Sequence, residues 1–578
     1  MKIVNKLSYS LLFLSLLAIS SCSDYLEVEP QDKLTESQNY RDVYDADAAV
    51  IGVYGKFMNL AKKYVVLNEV RADLISVTNN ADPNLRELQN HEVSPDNPYA
   101  NPADFYKVIL NCNDVLANFD KMLADKRFTQ EEYNQRYADI GALRSWIYLQ
   151  LGIHYGNVPY ITDPLKNIED IKDESKFIRL PFDRLLEELV HFTEALPYVD
   201  PYTAESLVIN VDGYNTAKFF INKEFLLGDL NLWKGNYTQA ATHYRTVMET
   251  ATGSGNDSER FNTYRLAWGT DIIVSYIRYQ EQDLESLINT ATEGWGSLFS
   301  REMDNDWNYE WIWVLPFSPD FEPENPFINL FSMQGGEYLL KPSQKVIDLW
   351  GDQTQLNGFP YDARGRKFSY KTIGGQPVVM KYLSNYLNFE TFTPDDFFDK
   401  QGQWFLYRAA QLHLRFAEAA NRDGRHRLAD AFLNNGVHNE YDIPGTVDVT
   451  DIQQTHDVPP YDFDARQGDF PYYRGDWYRG TGVRGRAYLE AAEVKGDSTI
   501  AIENNIIQEA ALELAFEGNR WGDLVRVALR RNDPAFLADK VYEKLQKEGD
   551  SRASEVRSKL MNPDNWYLPF NWKEEDND

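Results

Sequence analysis

The sequence predicts a mostly α-helical protein in which about four tetratricopeptide-like helix pairs form a scaffold for irregular, loop-rich insertions and a few short strands. The clearest observation is the placement of Gly228, Gly235, Tyr237, Ala240 and Tyr244 at offsets 0, 7, 9, 12 and 16. In a tetratricopeptide pair with this spacing, small residues let two helices pack closely and tyrosines fill the groove between them. Helical periodicity on both sides, broken by segments rich in Trp, Phe, Pro, Gly and Asn, completes the prediction.

The first 21 residues have the features of a secretory signal peptide. Lys2 and Lys6 precede an apolar run over 7–19, which is too short to span a bilayer as a helix. The small residues before Cys22 are similar to a bacterial lipobox, so we expect cleavage there and a lipid on Cys22. An ordinary signal peptide followed by an incidental cysteine is the alternative.

Residues 22–40 are polar and predict a lipidated, extended tether. Helical periodicity begins at 45–60 and, after a stretch at 77–102 with many Asn, Asp and Pro breakers, resumes at 103–125 and 130–155. These segments open a single predicted domain that includes the remaining chain to residue 578.

The predicted helix over 130–155 is apolar around most of its circumference and must therefore be buried. Ser145 and Gly152 interrupt the apolar arc, and because both are small we expect a second helix to lie against them. Gly156 is a suitable C-cap, since glycine adopts the left-handed conformation without strain. In the repeat pattern, the partner of this helix is displaced to 181–196.

The remaining chain alternates between repeats and insertions. Helical repeats occupy about 41–252 and 404–440, and the second of these carries a weaker copy of the tetratricopeptide spacing. Insertions occupy about 253–403 and 441–497, and a C-terminal helix and tail follow at 498–578. Within the first insertion, short strand-like runs are predicted and lie at 271–277, 311–315 and 378–382.

Charge and cysteine content exclude some classes of protein. The formal net charge is −31, and Lys2 and Lys6 are the only charges before Cys22, so the mature chain carries −33. Such a surface repels nucleic acid, which we exclude as a partner. Only Cys112 remains beside Cys22, so the mature chain has no intramolecular disulfide, and we expect Cys112 to be a buried thiol.

The chain resembles the SusD/RagB family of outer-membrane lipoproteins of Bacteroidetes. The resemblance is carried, in order, by the Cys22 lipobox and by 143–159, 178–181, 228–244, 362–364, 381–382, 407–419 and 513–521. It implies a lipoprotein that is anchored in the outer membrane through its lipid and faces the cell exterior. Asp24, Glu27 and Glu29 are similar to signals that send such lipoproteins to the surface.

The resemblance also implies a function. The helical base of such a protein packs on a SusC-like TonB-dependent transporter, and the loop-rich side captures oligosaccharides for import. Capture of oligopeptides is the alternative within the family. Two alternative hypotheses come from other functional classes: a surface glycoside hydrolase and a purely structural subunit of the transporter.

The sequence contains no recognisable catalytic motif, and we expect no enzymatic activity and no cofactor. His-Glu-x-x-His, Cys-x-x-Cys, Gly-x-Ser-x-Gly and P-loop motifs are absent. Charges of both signs alternate near the C-terminal helix, and we interpret them as a structural ion-pair network rather than a catalytic cluster; they are Glu513, Glu517, Arg520, Asp523 and Arg526. We likewise expect His154 to be a hydrogen-bonded core residue.

Ligand binding is expected in the aromatic insertion and in the loop after the first helix. Sugar rings have apolar faces and polar rims, so they need flat aromatic platforms beside amide, carboxylate or guanidinium groups. The residues nominated on this basis are Trp295, Asp304, Trp307, Asn308 and Tyr309 in the insertion, and Arg71, Asp73, Asn79, Asp82 and Tyr99 in the loop region. Two further tryptophans, Trp311 and Trp313, are interpreted as core residues.

A metal site is not predicted. The stretch 304–310 begins with oxygen-bearing side chains at alternate positions, as a calcium loop does. However, Tyr309 stands where an EF-hand requires Gly, and Leu315 stands in place of the final Glu. We therefore interpret the stretch as a solvated acidic loop.

Overall fold

The computed structural model describes residues 40–197, 206–211, 214–249, 295–300, 310–356, 358–388, 390–442, 454–465, 477 and 482–572. The predicted signal peptide, Cys22, the predicted tether up to residue 39 and the strand predicted at 271–277 lie outside these residues.

The chain begins with helices joined by short loops. They are α1 (Val43–Met58), α2 (Ala61–Val65), which continues as a π-helical turn (Val66–Val70), α3 (Pro83–Gln89), α4 (Ala103–Ala124) and α5 (Gln130–Tyr155), with strand β1 (Ile75–Val77) before α3. The stretch 77–102, which the sequence predicts to be rich in loops, also contains the helix α3. Asp82 caps this helix by accepting hydrogen bonds from the backbone N–H groups of Asn84 and Leu85, and Pro83 fits its first turn.

Helix α5 ends where the sequence predicts and packs against a second helix on its small residues. After β2 (Asn157–Pro159), α6 (Ile168–Lys172) and β3 (Arg179–Pro181), the chain forms α7 (Phe182–Ala195). A Cβ at Gly152 would lie 2.3 Å from the Phe182 ring, and Thr193 Oγ1 donates to Ser145 Oγ at 2.9 Å. Gly156 caps α5 with a φ of 70°, and β2 pairs antiparallel with β3. The predicted close approach is therefore confirmed.

The tetratricopeptide spacing corresponds to a helix pair. A short hairpin of β4 (Asn210–Val211) and β5 (Tyr214–Asn215) leads into α8 (Lys223–Lys234) and α9 (Tyr237–Glu249). A Cβ at Gly228 would lie 2.4 Å from the ring of Tyr244, so the glycine makes room for the tyrosine. Tyr244 Oη donates to Asp229 Oδ1 at 2.6 Å, which joins the two helices.

The middle of the chain combines short helices and strands. They are α10 (Ser297–Ser300), β6 (Trp311–Phe317), α11 (Pro326–Phe331), β7 (Leu340–Pro342), α12 (Gln344–Gly351), β8 (Tyr370–Ile373), β9 (Gln376–Val379) and β10 (Gly402–Arg408). Each sheet among the described residues is an antiparallel pair: β1 with β7, β6 with β10, and β8 with β9, besides the two pairs above. The strands predicted near 311 and 378 are β6 and β9.

The C-terminal part returns to helices. They are α13 (Ala409–Arg422), α14 (His426–Leu433), α15 (Gly436–Glu440), α16 (Val483–Arg486), α17 (Ser498–Glu513), α18 (Arg520–Arg531), α19 (Pro534–Lys547) and α20 (Ala553–Leu560). Helices α13 and α14 form the second, weaker tetratricopeptide copy, and α13 also packs on α9 and α17. The mostly helical fold that the sequence predicts is confirmed.

One main apolar core links the helices to the β6–β10 pair. Trp313 is fully buried, stacks on Phe57 of α1 with ring centroids 5.5 Å apart, and meets Trp146 of α5 edge-on at 5.4 Å. Trp311 is also buried, so both tryptophans are core residues as predicted. Cys112 is a buried thiol in α4, also as predicted. Within the described chain, we find no helix that is long and apolar enough to cross a membrane.

Candidate functional site

The charges predicted to form an ion-pair network are buried and paired. Glu513 Oε1 accepts from Arg408 Nη1 at 2.7 Å and from Arg486 Nη2 at 3.0 Å, and Glu513 Oε2 accepts from Arg364 Nη1 at 2.6 Å. Burial alone would raise the pKa of Glu513, but these guanidinium charges outweigh it and hold the pKa well below its usual range. The structural interpretation is therefore confirmed for Glu513.

The ion pairs around Glu513 extend into a cluster of ten residues, which we call the buried ion cluster. Its five cations and five acids are Arg364, Lys381, Arg408, Arg484 and Arg486, and Glu310, Asp362, Glu509, Glu513 and Glu517. All ten side chains are buried. The ion pairs join the middle of the chain to α17 and the residues that flank it. Each of the five carboxylates is paired with a cation, so we interpret the cluster as structural rather than catalytic.

The other predicted members of the network lie elsewhere in the structure. Arg520 donates to Asp73, with Nε 2.6 Å from Oδ1. Arg526 donates through Nη2 to Glu418 Oε2 at 2.6 Å and to Asp523 Oδ1 at 3.0 Å. The helical spacing correctly indicated a structural role, but it did not indicate that the partners come from other parts of the chain.

Two nominated ligand residues, Arg71 and Asp73, are inside the core. Arg71 is 1% exposed, lies over the Trp521 ring at 4.1 Å and donates to the carbonyl of Trp566. Its Nη1 is 3.2 Å from Nδ1 of His154, which is buried and hydrogen-bonded as predicted. Asp73 is fully buried and forms an ion pair with Arg520. Neither side chain presents a surface to a ligand, because each is used to join the N-terminal helices to the C-terminal ones.

Two nominated aromatic residues are also packed inside. Trp295 is 1% exposed, and its Nε1 donates to Glu513 Oε1 at 3.0 Å. Its ring lies 5.1 Å from Lys381 Nζ, so it forms the apolar wall of the buried ion cluster. Tyr99 is 8% exposed, and its ring is covered by Lys62 at 5.8 Å. Gly296 separates Trp295 from the first residue of α10.

The two other loop nominees lie at the surface. Asn79 is exposed and Asp82 is partly exposed at the start of α3. Arg86 holds their loop by donating through Nη2 to the carbonyls of Thr78 at 3.1 Å and Asn79 at 3.0 Å. Asp304, Trp307, Asn308 and Tyr309, together with Cys22, lie outside the described residues.

The loop of Asn79 is part of a larger surface that the sequence did not indicate. We call residues 78–84, 318–325, 332–338 and 390–401 the loop surface. Hydrogen bonds and an ion pair tie its four segments together in two pairs, 78–84 with 332–338 and 318–325 with 390–401. Asn80 Nδ2 donates to the carbonyl of Glu337 at 2.9 Å, Asn325 Nδ2 donates to the carbonyl of Gln401 at 3.0 Å, and Lys400 pairs with Glu324.

Large apolar side chains stand exposed on the loop surface. Phe398 is 86% exposed, and it is accompanied by Phe397 at 50%, Phe321 at 47% and Met333 at 40%. Gly335, with a φ of 71°, lies where a Cβ would meet Tyr386 Oη at 2.0 Å and the Phe397 ring at 3.2 Å. Exposed rings held on tied loops are a candidate binding surface, because water alone does not favour their exposure.

Polar groups accompany these rings. Asp395 and Asp396 precede Phe397 and are exposed, and Asp396 Oδ1 accepts from the backbone N–H of Phe398 at 2.8 Å, which fixes the turn that carries the ring. The run Asp-Asp-Phe-Phe-Asp at 395–399 was the available sequence signal. Two adjacent phenylalanines between acids, directly after Pro394, fit neither a helix nor a strand face.

The comparisons with known proteins begin with a family model. The model of the SusD family matches residues 369–577. Two SusD-like proteins of Formosa agariphila are similar to parts of this chain, one 26% identical over 156 residues and one 25% identical over 222 residues. The matches cover 26% and 35% of this chain and 29% and 40% of the relatives, so less than half of each relative is spanned.

Solved structures share the fold over nearly the whole chain. A SusD superfamily protein from Bacteroides vulgatus has a TM-score of 0.56 at 14% identity, with 92% of this chain and 96% of that chain covered. A laminarin-binding SusD-like protein, at 0.54 and 15%, has the same coverage. Surface glycan-binding protein A from Bacteroides uniformis, also at 0.54 and 15%, covers 91% and 96%. The family match over residues 369–577 and this shared fold confirm the resemblance to the SusD/RagB family that was drawn from the sequence.

Proposed function

We propose that this protein is a non-enzymatic binding protein of the cell surface that captures oligosaccharides on its loop surface. The observation that carries the proposal is the set of exposed rings, Phe321, Phe397 and Phe398, on loops that are tied to one another through the Lys400–Glu324 ion pair. A pyranose stacks its C–H face on such a ring while its hydroxyls bond to nearby amides and carboxylates. Asn79, Asp395 and Asp396 are exposed on the same surface and supply these polar partners.

The comparisons support carbohydrate as the ligand class. One protein of the same fold binds laminarin, and another is a surface glycan-binding protein. We further propose that Cys22 carries the lipid that anchors the chain in the outer membrane, and that a SusC-like TonB-dependent transporter receives the oligosaccharide. The nominated Asp304, Trp307, Asn308 and Tyr309 stay in this proposal as ligand contacts in addition to those of the loop surface.

The experiment is a calorimetric titration of the purified protein with a panel of oligosaccharides, including laminarin fragments, and with a panel of peptides. We expect affinity for at least one oligosaccharide and a loss of about tenfold or more for Phe398→Ala, since a stacked ring contributes on the order of 1 kcal/mol beyond its buried area. Tyr44→Ala is the matched control, because Tyr44 is a 72% exposed aromatic residue on α1, away from the loops.

Three outcomes would contradict the proposal in different ways. Binding of peptides but no oligosaccharide would change the ligand class to oligopeptides. Release of reducing ends from a bound glycan would make the protein a glycoside hydrolase. Equal loss of affinity in Phe398→Ala and Tyr44→Ala would remove the loop surface from the function.

A further inference from the structure

A cavity lies among the scaffold helices and shares no residue with the loop surface. It is a cavity of about 670 Å³ between the end of α5, the start of α7, the α8–α9 turn, α18 and the tail after α20. Volumes of roughly 300–1,000 Å³ are typical of ligand sites. The predicted tetratricopeptide pair and the predicted C-cap Gly156 thus build a cavity that their sequence pattern did not indicate.

Five aromatic residues line this cavity, and three of them remain partly exposed: Trp233, Tyr237 and Tyr567. The Trp233 ring meets Phe182 edge-on, with centroids 5.3 Å apart. The Tyr567 ring lies against Gly156, where a Cβ would come within 2.8 Å of it. Tyr237 begins α9 at the cavity mouth. Rings fixed in this way lose little freedom when a ligand stacks on them.

The polar groups of the cavity include both donors and acceptors. Asp183 and Asp564 are exposed carboxylates at the rim, and Lys234 is an exposed ammonium; none of the three forms an ion pair with another described residue. Behind Trp233, an inner pocket of about 30 Å³ is lined by polar groups that include Gln150 and Asp229, and it has room for a water molecule.

The charges exclude other ligand classes. Arg526 already lies 5.5 Å from the Trp233 ring, and Arg530 lies 5.7 Å from the Tyr237 ring, so these rings do not need a cationic ligand. Both guanidinium groups are in turn paired with Glu418, and Arg526 also pairs with Asp523 and Arg530 with Glu503. An anionic ligand would meet the free carboxylates of the rim. A neutral ring with an apolar face and many hydroxyls fits all of these groups.

We propose that this cavity is a second carbohydrate site, which takes one or two neutral sugar rings. One ring stacks on Trp233 or Tyr237, and its hydroxyls donate to Asp183 and Asp564 and accept from Lys234. The proposal goes beyond the proposed function, because it does not depend on any residue of the loop surface.

The test uses the purified protein and ligand-observed saturation-transfer NMR with a fixed panel. The panel is glucose, galactose, mannose, xylose, maltose, cellobiose and laminaribiose. We expect saturation transfer to at least one sugar, and titration should show about tenfold weaker binding of that sugar by Tyr237→Ala and by Asp183→Asn. Both side chains lie at the rim, and circular dichroism melting curves check that each variant remains folded. Tyr44→Ala, at an exposed ring of α1 that belongs neither to the cavity nor to the loop surface, is the matched control and should leave this binding unchanged. Phe398→Ala is measured beside it and reports any binding at the loop surface.

The results separate the two proposals. If no sugar of the panel binds, or if both cavity variants bind it as the unchanged protein does, the cavity proposal is overturned. If Phe398→Ala alone abolishes binding, the loop surface is the only site and the proposed function stands without the cavity. If only the cavity variants lose binding, the cavity proposal stands and the loop surface is not the site of capture.

Discussion

The close approach of α8 and α9 makes a sharp prediction about two helical glycines. Gly228 faces the Tyr244 ring, and a Cβ would lie 2.4 Å from it, whereas a Cβ at Gly52 in α1 would have nothing within 4 Å. Both positions are helix interiors, so replacing Gly with Ala gains about 1 kcal/mol of helix propensity at each. At Gly228 the added methyl also overpacks the groove, which costs roughly 1–3 kcal/mol.

The propensity gain cancels when the two variants are compared. Gly52→Ala should raise the free energy of unfolding by about 1 kcal/mol, and Gly228→Ala should change it by between about zero and a loss of 2 kcal/mol. The expected difference between the variants is therefore about 1–3 kcal/mol in favour of Gly52→Ala. Gly55→Ala is a second control, since its Cβ would also meet no atom within 4 Å.

Urea unfolding, followed by both circular dichroism and tryptophan fluorescence, measures this difference in the free energy of unfolding. The variants are compared through their midpoints, which requires that they have the same m-value. Coincident transitions by the two probes are needed for a two-state free energy in a chain of this size. If Gly228→Ala is stabilised as much as Gly52→Ala, the Tyr244 ring moves at little cost. Close packing of α8 against α9 would then not explain why a glycine stands at position 228.

Two further predictions concern buried charges. Glu513→Gln removes one acid from the balanced buried ion cluster and should lower the free energy of unfolding by roughly 3–5 kcal/mol in the same urea assay; an unchanged midpoint would show that the cluster is not a stabilising unit. Burial raises the pKa of Asp139, which accepts from Tyr54 Oη at 2.9 Å, to about 8. Between the ordinary aspartate pKa of about 4 and this value, the folded chain keeps a proton that the unfolded chain releases, so stability falls as pH rises. Asp139→Asn stays neutral and should therefore lose less stability than the unchanged protein between pH 5 and pH 8, by at most about 4 kcal/mol, and parallel pH profiles would contradict this.

The helices were predictable because their signals are local. The predicted bounds of 130–155 match α5, and the predicted bounds of 181–196 differ from α7 by one residue at each end. Small residues at a fixed spacing, such as Gly152 and Gly228, also identified the close contacts correctly, because a missing Cβ is visible in the sequence. The exception was the Asp82–Pro83 pair, where breakers of a helix interior served as its start.

The candidate site was harder to predict, because burial depends on partners that are distant in sequence. Trp295 follows Gly294 and resembles a loop residue, but it is buried against Glu513, which is 218 positions away. Arg71 and Asp73 are likewise covered by the C-terminal helices. An exposed phenylalanine such as Phe398 is the same residue type as a buried one, so the sequence alone does not show which rings are exposed.

The buried ion cluster affects which segments can be exchanged between this chain and other proteins of the same fold. The cluster joins Glu310, Arg364 and Lys381 of the middle segment to Glu513 and Glu517 of the C-terminal part. A chimaera that replaces only 318–325 and 390–401 leaves all ten charges in place. Transplanting the whole middle segment instead brings one half of a matched set of charges into a foreign recipient. Recombination breakpoints inside the loops should therefore yield folded hybrids, and breakpoints outside them should not.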